Sequence, residues 1–168
     1  MINLIDKIFL RTKNLNYINL GFKNIKEKTE INKIFHAIES FSNKSEIRYI
    51  GGCVRKIINK EKVEDIDLAV NLEPKNVCEI LKKNNIKFYE SGIEHGTVTA
   101  LINNFKFEIT SLRKDVDTDG RHARVVFSEN WKEDAARRDF TINSIYADLN
   151  GSLFDPFDGK KDLEKGII

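Results

Sequence analysis

Apolar residues recur at helical spacing over residues 30–41, where Ile31, Ile34, Phe35, Ile38 and Phe41 form one stripe and Thr29 is placed to cap its start. Ile47–Ile50 then reads as a strand ended by Gly51-Gly52, Cys53–Asn59 as a helix, and Glu64–Val70 as a strand with alternating apolar positions. Pro74 opens a helix that runs to about Asn84. Ile86–Tyr89, Thr97–Ile102 and Phe105–Ser111 read as strands, the last two joined by the tight-turn pair Asn103-Asn104. Leu112–Asn130 is charged, irregular and short of core-forming residues before Val125–Phe127, which predicts a mobile loop. Lys132–Ala147 has a helical pattern with a break near Asp139–Phe140. Asn150-Gly151 marks a hairpin within Asp148–Asp155, and Gly159–Ile168 holds a short helix that stops at Gly166. Residues 1–28 are polar and rich in Asn and Lys, and read as an appendage with one short helix near residues 2–10. A few strands mixed with helices predict an α/β (α+β) domain with a small mixed β-sheet flanked by helices.

Composition narrows this only slightly. The 168 residues suit one domain with an appendage, and a net charge of +2 does not by itself announce a polyanionic partner. Cys53 and Cys78 have neither zinc-site nor disulfide-framework spacing, which suggests a reducing cytoplasm. No apolar run approaches a membrane span, and the first residues lack the pattern of a secretory signal. The expectation is a cytoplasmic protein with no membrane partner.

The chemistry is concentrated in IRYIGGCVRKIINKEKVEDIDLAV. Gly51-Gly52 sits between a strand and a helix start, where free N–H groups suit a phosphate and Arg55 adds charge. Taken alone, the pair reads equally well as a simple tight turn. Asp65 and Asp67 fall in the next strand, and alternation sets both on one face. Two like charges side by side need either solvent or cations. One reading is a solvated face; the other is a magnesium site, since Mg²⁺ takes one or two carboxylates together with substrate phosphates. Glu108 is out of phase with Phe105, Phe107 and Ile109, so it is either a solvated strand glutamate or a third carboxylate of the same site.

Gly-Gly followed by Asp-x-Asp resembles the signature of the polymerase β-like nucleotidyltransferase superfamily. Glu94–Ala100 (EHGTVTA), Phe107–Arg113 (FEITSLR), Glu133–Ser144 (EDAARRDFTINS) and Phe154–Gly159 (FDPFDG) narrow the resemblance. Together they are similar to the head domain of class II, bacterial-type tRNA nucleotidyltransferases, the CCA-adding enzymes, and their poly(A) polymerase relatives. The resemblance covers roughly residues 30–168. It implies that Asp65 and Asp67 bind the catalytic Mg²⁺ with Glu108 beside them. It implies further that Gly51, Gly52, Arg55, Arg137 and Arg138 lie against the triphosphate, and that Asp139 and Asn143 hold the sugar.

Arginine forks suit phosphate oxygens. Asp139 and Asn143, four apart, would share a face if the helix ran through them. The alternative for the arginine pair is an exposed helix bridged to Glu133 and Asp134. The implied substrates are ATP, CTP and a tRNA 3′ end. The expected division is an appendage over 1–28, a head over 29–160 and the start of a missing neck over 161–168, so the expectation is a truncated chain whose neck, body and tail are missing, in cis or as a separate chain. Lys56 departs from the family, which usually has Asp there. Open alternatives are a poly(A) polymerase, a partial CC- or A-adding enzyme, a small-molecule nucleotidyltransferase, and an RNA-binding remnant without catalysis.

Overall fold

The computed structural model describes residues 4–116 and 124–167. Its centre is a seven-stranded mixed sheet in the order β3-β4-β5-β2-β1-β8-β9. The strands are β1 (Ile47–Ile50), β2 (Ile66–Val70), β3 (Lys87–Gly92), β4 (Thr97–Ile102), β5 (Phe105–Ser111), β8 (Tyr146–Ala147) and β9 (Leu153–Phe154). Two more, β6 (Arg113–Val116) and β7 (Arg124–Phe127), form a separate antiparallel ribbon. The helices are α1 (Leu4–Thr29), α2 (Asn32–Glu39), α3 (Gly52–Ile58), α4 (Pro74–Lys83), α5 (Trp131–Ala136) and α6 (Gly159–Lys165). Within the large sheet only β2 and β5 run parallel, which bears out the mixed α/β expectation.

Alternation along the strands assigns the two faces. Tyr49, Leu68, Val70, Val98, Ala100, Phe107 and Ile109 are buried against α1 to α4 in the main core. Ile50, Ala69 and Tyr146 point the other way, into a smaller cluster with Leu112, Ala135, Trp131, Phe154 and Phe157. That cluster covers the β1–β8–β9 side of this second face. Among the described residues no helix is long and apolar enough to cross a membrane.

Several expectations needed correction. From residue 4 on, the N-terminal segment is one helix rather than a loose stretch with a short helix near 2–10: α1 extends to Thr29, and Ile18 and Phe22 are buried in the main core with Ile25 packed beside them. The spacing 18, 22, 25 and 29 is helical, but one apolar residue per turn among Asn and Lys is a sparse signal. Thr29 does not cap α2; its hydroxyl donates back to the Ile25 carbonyl, closing α1, and Glu30 at φ 55° turns the corner. Phe41 lies past the end of α2 and is half exposed.

Part of Leu112–Asn130 is a β-ribbon rather than a loop, and the expected mobility of 117–123 falls outside the described residues. The helix expected over Lys132–Ala147 ends at Ala136, and a 3₁₀ turn at Thr141–Asn143 leads into β8. The Asn150-Gly151 hairpin is present with a longer connection, residues 148–152, in which Asp148 accepts from the Asn150 and Ser152 amides.

Candidate active site

The pairing of β2 with β5 brings the carboxylates together. In the parallel register Asp67 lies beside Glu108, and in the antiparallel β4–β5 pair Thr99 lies beside Glu108. Residues opposite one another in a sheet share a face. Asp65 sits just before β2, two residues from Asp67, and is exposed; it is not inside the strand as expected. Burial raises the Asp67 pKa above the ordinary carboxylate range, and the neighbouring charges of Glu108 and Asp65 raise it further, while Arg138 opposes them. Three carboxylates are thus crowded on one face of the sheet, across the β2–β5 pair. None of these three carboxylates has an ion-pair partner among the described residues.

Beneath Asp67, the Cys53 thiol donates to the carbonyls of Ile50 and Asp67, and burial pushes its pKa up to about 11. It therefore stays a neutral packing group that fixes the start of α3 against β2.

The glycine turn adjoins this edge. Extending the β1–β2 register by one residue sets Ile50 beside Asp67, so the chain leaves β1 at the carboxylates. Gly51 follows at φ 67°, ψ −127°, a conformation open essentially to glycine, and α3 starts at Gly52. A Cβ on Gly52 would meet nothing within 4 Å, so its small size leaves open space at the helix start. Arg55, in the first turn of α3, donates to the Asn143 side chain and joins α3 to the 3₁₀ turn.

Arg137 and Arg138 are not free on an exposed helix. Asp134, whose side chain is 1% exposed, accepts two bonds from Arg137 through Oδ1 (2.9 and 2.8 Å) and two from Arg138 through Oδ2 (3.3 and 3.1 Å). The Tyr146 hydroxyl donates to Oδ2 at 2.7 Å and the Arg113 amide to Oδ1 at 3.2 Å. Burial alone would raise the Asp134 pKa, but the Arg138 charge, the Tyr146 hydroxyl and the Arg137 fork outweigh it and hold the carboxyl below its ordinary value. Both guanidinium groups engage Asp134 through Nε and Nη2, which turns the Nη1 side of each away from that carboxylate, and Arg138 also bonds the Tyr146 hydroxyl.

Glu133, the other acid considered for the arginines, accepts instead from Ser128. Asp134, expected only as a partner of the arginines on an exposed helix, is instead the buried group that organises this side of the site. Its signal was there, an acid three and four residues before two arginines on a helix.

Asp139 and Asn143 do not share a helical face, because Phe140 is extended (φ −134°, ψ 142°) between them. Asp139 is exposed, and the Asn143 oxygen is taken by Arg55. Among the described residues, no three His, Cys, Asp or Glu side chains form a ready-made metal cage. Magnesium does not require one, and the Asp65–Asp67 pair supplies the carboxylate oxygens it takes from protein.

A glycine turn at a helix start and two oriented arginines beside clustered carboxylates would suit a nucleoside triphosphate held partly through a divalent cation. The fold is that of a nucleotidyltransferase head domain. Residues 47–168 match the poly A polymerase head domain, and the chain belongs to that family. It is 46% identical over 120 residues to the human mitochondrial CCA tRNA nucleotidyltransferase 1, covering 71% of this chain and 28% of the relative. It is 38% identical over 125 residues to the CCA-adding enzyme of Lactobacillus johnsonii, covering 73% of this chain and 30% of the relative.

Among solved structures, the Bacillus stearothermophilus CCA-adding enzyme in complex with CTP superposes with a TM-score of 0.66 at 29% identity, over 78% of this chain and 30% of that one. A tRNA nucleotidyltransferase complexed with a primer tRNA and an incoming ATP analogue gives 0.61 at 26% identity, over 78% of this chain and 36% of that one. The chain thus spans under a third of the length of these curated relatives. CCA-adding nucleotidyltransferases are generally metal-dependent.

Proposed function

We propose that this chain is the catalytic head of a template-independent tRNA nucleotidyltransferase of the CCA-adding type. It transfers the monophosphate of CTP or ATP to an RNA 3′ hydroxyl and releases pyrophosphate. The observation that carries the reading is the Asp67–Glu108 register, with Asp65 two residues away and the Gly51 turn at the end of the neighbouring strand. In this reading Asp65 and Asp67 hold Mg²⁺, which when bound neutralises the charge that builds up during phosphoryl transfer.

The rest follows from the chain's own groups. The N–H groups at Gly51-Gly52 and the sides of Arg137 and Arg138 turned away from Asp134 take the β- and γ-phosphates and orient the pyrophosphate as leaving group. Arg55 fixes Asn143, whose amide NH₂ remains available to a sugar hydroxyl, and Asp139 stands exposed four residues earlier for the same sugar. The 3′ oxygen attacks the α-phosphorus, the bond from the α-phosphorus to the oxygen bridging to the β-phosphorus breaks with its electron pair leaving on pyrophosphate, and the hydroxyl proton passes to the Glu108 carboxylate and on to water. No protein nucleophile is involved, and rate enhancement comes from positioning and electrostatics.

These groups all address metal, phosphate or sugar, which every nucleoside triphosphate shares. Base selection is therefore weak in this head. The test is calorimetric titration of the chain with ATP, CTP, GTP and UTP, with and without Mg²⁺. Expected are weak, Mg²⁺-dependent binding of all four with similar affinity, a comparable loss for each in Arg138→Ala, and no Mg²⁺ dependence in Asp67→Asn. Equal binding by wild type and Asp67→Asn in the presence of Mg²⁺ would overturn the assignment.

A further inference from the structure

The row of residues that contains the carboxylates does not stop at Glu108. Register carries it from Asp67 to Glu108, then to Thr99 on β4 and Tyr89 on β3. All four share the second face of the sheet. Asp67 and Tyr89 are three strands apart, ~14 Å at the usual inter-strand spacing. One row away on the same face, Lys87 lies beside Leu101 and Leu101 beside Lys106. The small apolar cluster that covers β1, β8 and β9 contains none of these residues.

Tyr89 is 49% exposed, and the Lys87 ammonium lies 5.7 Å from its ring centroid. Lys87 and Lys106 are exposed and have no acidic partner within ion-pair distance among the described residues. Glu90, next to Tyr89, alternates to the opposite face, where its charge is felt by Cys78 of α4.

In-line displacement fixes the direction of approach. The leaving pyrophosphate and the attacking oxygen stand on opposite sides of the α-phosphorus. On the proposed function, the triphosphate lies on the Gly51, Arg137 and Arg138 side of Asp67. The attacking hydroxyl then arrives from the other side, over Glu108, and the RNA behind it runs across β4 toward β3. We infer that Lys87, Tyr89 and Lys106 form the track for the single-stranded 3′ end of the RNA primer. Tyr89 stacks on a base upstream of the terminal nucleotide, and the two lysines take backbone phosphates. An exposed aromatic ring on β3 beside one lysine, with a second lysine two strands away in the adjacent row, is what a sequence-tolerant single-strand track requires.

The inference rests on the nucleotidyltransferase reading, and the test separates the two. A 5′-fluorescein-labelled dodecamer RNA ending in CC with a free 3′ hydroxyl is titrated with the full chain by fluorescence anisotropy across a NaCl series. MgATP affinity is measured in parallel. Tyr89→Ala is expected to weaken RNA binding roughly 5- to 100-fold and Tyr89→Phe to restore it, because stacking needs the ring and not the hydroxyl. The Lys87→Ala/Lys106→Ala variant is expected to flatten the dependence of log affinity on log salt by about 1.4, at ~0.7 per phosphate contact on a single strand. MgATP affinity stays unchanged in all of them. RNA affinity and salt slope equal to wild type in Tyr89→Ala and in the double lysine variant would overturn the track. So would a wild-type chain that binds MgATP but no RNA, and in that case the nucleotide site would still stand. Loss of RNA binding in the variants from a chain that binds no MgATP would support the track and remove the nucleotide reading.

Discussion

Replacing Asp134 with asparagine tests whether one buried carboxylate organises the phosphate-facing side of the site. The side chain is 1% exposed and accepts bonds from Arg137, Arg138, the Tyr146 hydroxyl and the Arg113 amide. Asparagine keeps the shape but removes the charge and turns one acceptor oxygen into an NH₂ donor. Whichever way the amide sits, one guanidinium fork faces a donor, and both arginines lose their counter-charge. Breaking a buried ion pair by removing one partner costs ~3–5 kcal/mol. That is a large share of the ~5–15 kcal/mol by which a domain is stable.

At a urea m-value of ~2 kcal/mol per M, the midpoint should fall by about 1.5–2.5 M with m unchanged. Trp131 is the single tryptophan, and its ring stands edge-on to Tyr146 at 5.3 Å. Its fluorescence therefore reports unfolding from within this cluster, and circular dichroism should give the same midpoint. Folded Asp134→Asn should also bind MgATP more weakly, because the arginines are no longer held. A midpoint shift below about 0.3 M with unchanged MgATP affinity would refute the view that Asp134 sets the arginines.

Acid should expose the same group: the folded pKa of Asp134 is lowered, so its stabilisation is present above ~3.9 and is lost as pH falls through the lower folded value. Wild type should therefore lose more stability than Asp134→Asn between pH 5 and pH 2, measured by urea midpoints along that series. Gly51→Ala should destabilise by ~1–3 kcal/mol through its φ of 67° alone, since an added Cβ meets only the Asn143 carbonyl, at 4.0 Å. Gly52→Ala should leave stability, read from the urea midpoint, within ~1 kcal/mol of wild type or raise it, yet weaken MgATP and MgCTP alike by filling the space at the helix start; unchanged affinity would argue against phosphate at this turn. Phe22→Ala should cost ~3–5 kcal/mol if α1 belongs to the core, and a change under ~1 kcal/mol would return α1 to the status of an appendage.

The sequence shows most of what lies close together along the chain. Strands β1, β2, β4 and β5 and helix α4 follow from alternation and from Gly or Pro at their ends, signals contained within a few residues. Phase sets Glu108 off the core face of Phe107 and Ile109, the resemblance places it beside Asp67, and the parallel register realises it. What the sequence hides depends on distant partners. The stripe Ile18, Phe22, Ile25 is too thin to announce a helix until β1 and α3 give it something to pack on. In EDAARRDFTIN the break expected near Asp139–Phe140 is present, with Phe140 extended, but the helix has already ended at Ala136 and does not resume beyond it. Its arginines are tied back to Asp134, and Thr141 bonds to Asp162 of α6. Tertiary contacts outweigh local propensity at that point, and with the helix goes the argument that Asp139 and Asn143 share a face.

The most direct test of the central claim is transfer itself. The purified chain is incubated with tRNA lacking its 3′-terminal CCA and with α-³²P-labelled CTP or ATP, with and without Mg²⁺, alongside Asp67→Asn. The account predicts slow, Mg²⁺-dependent labelling of the RNA 3′ end from either nucleotide, without an ordered C, C, A product, and a loss of at least ~100-fold in Asp67→Asn. Labelling that persists in Asp67→Asn or without a divalent cation, or no labelling by a wild-type chain that binds both substrates, would contradict it.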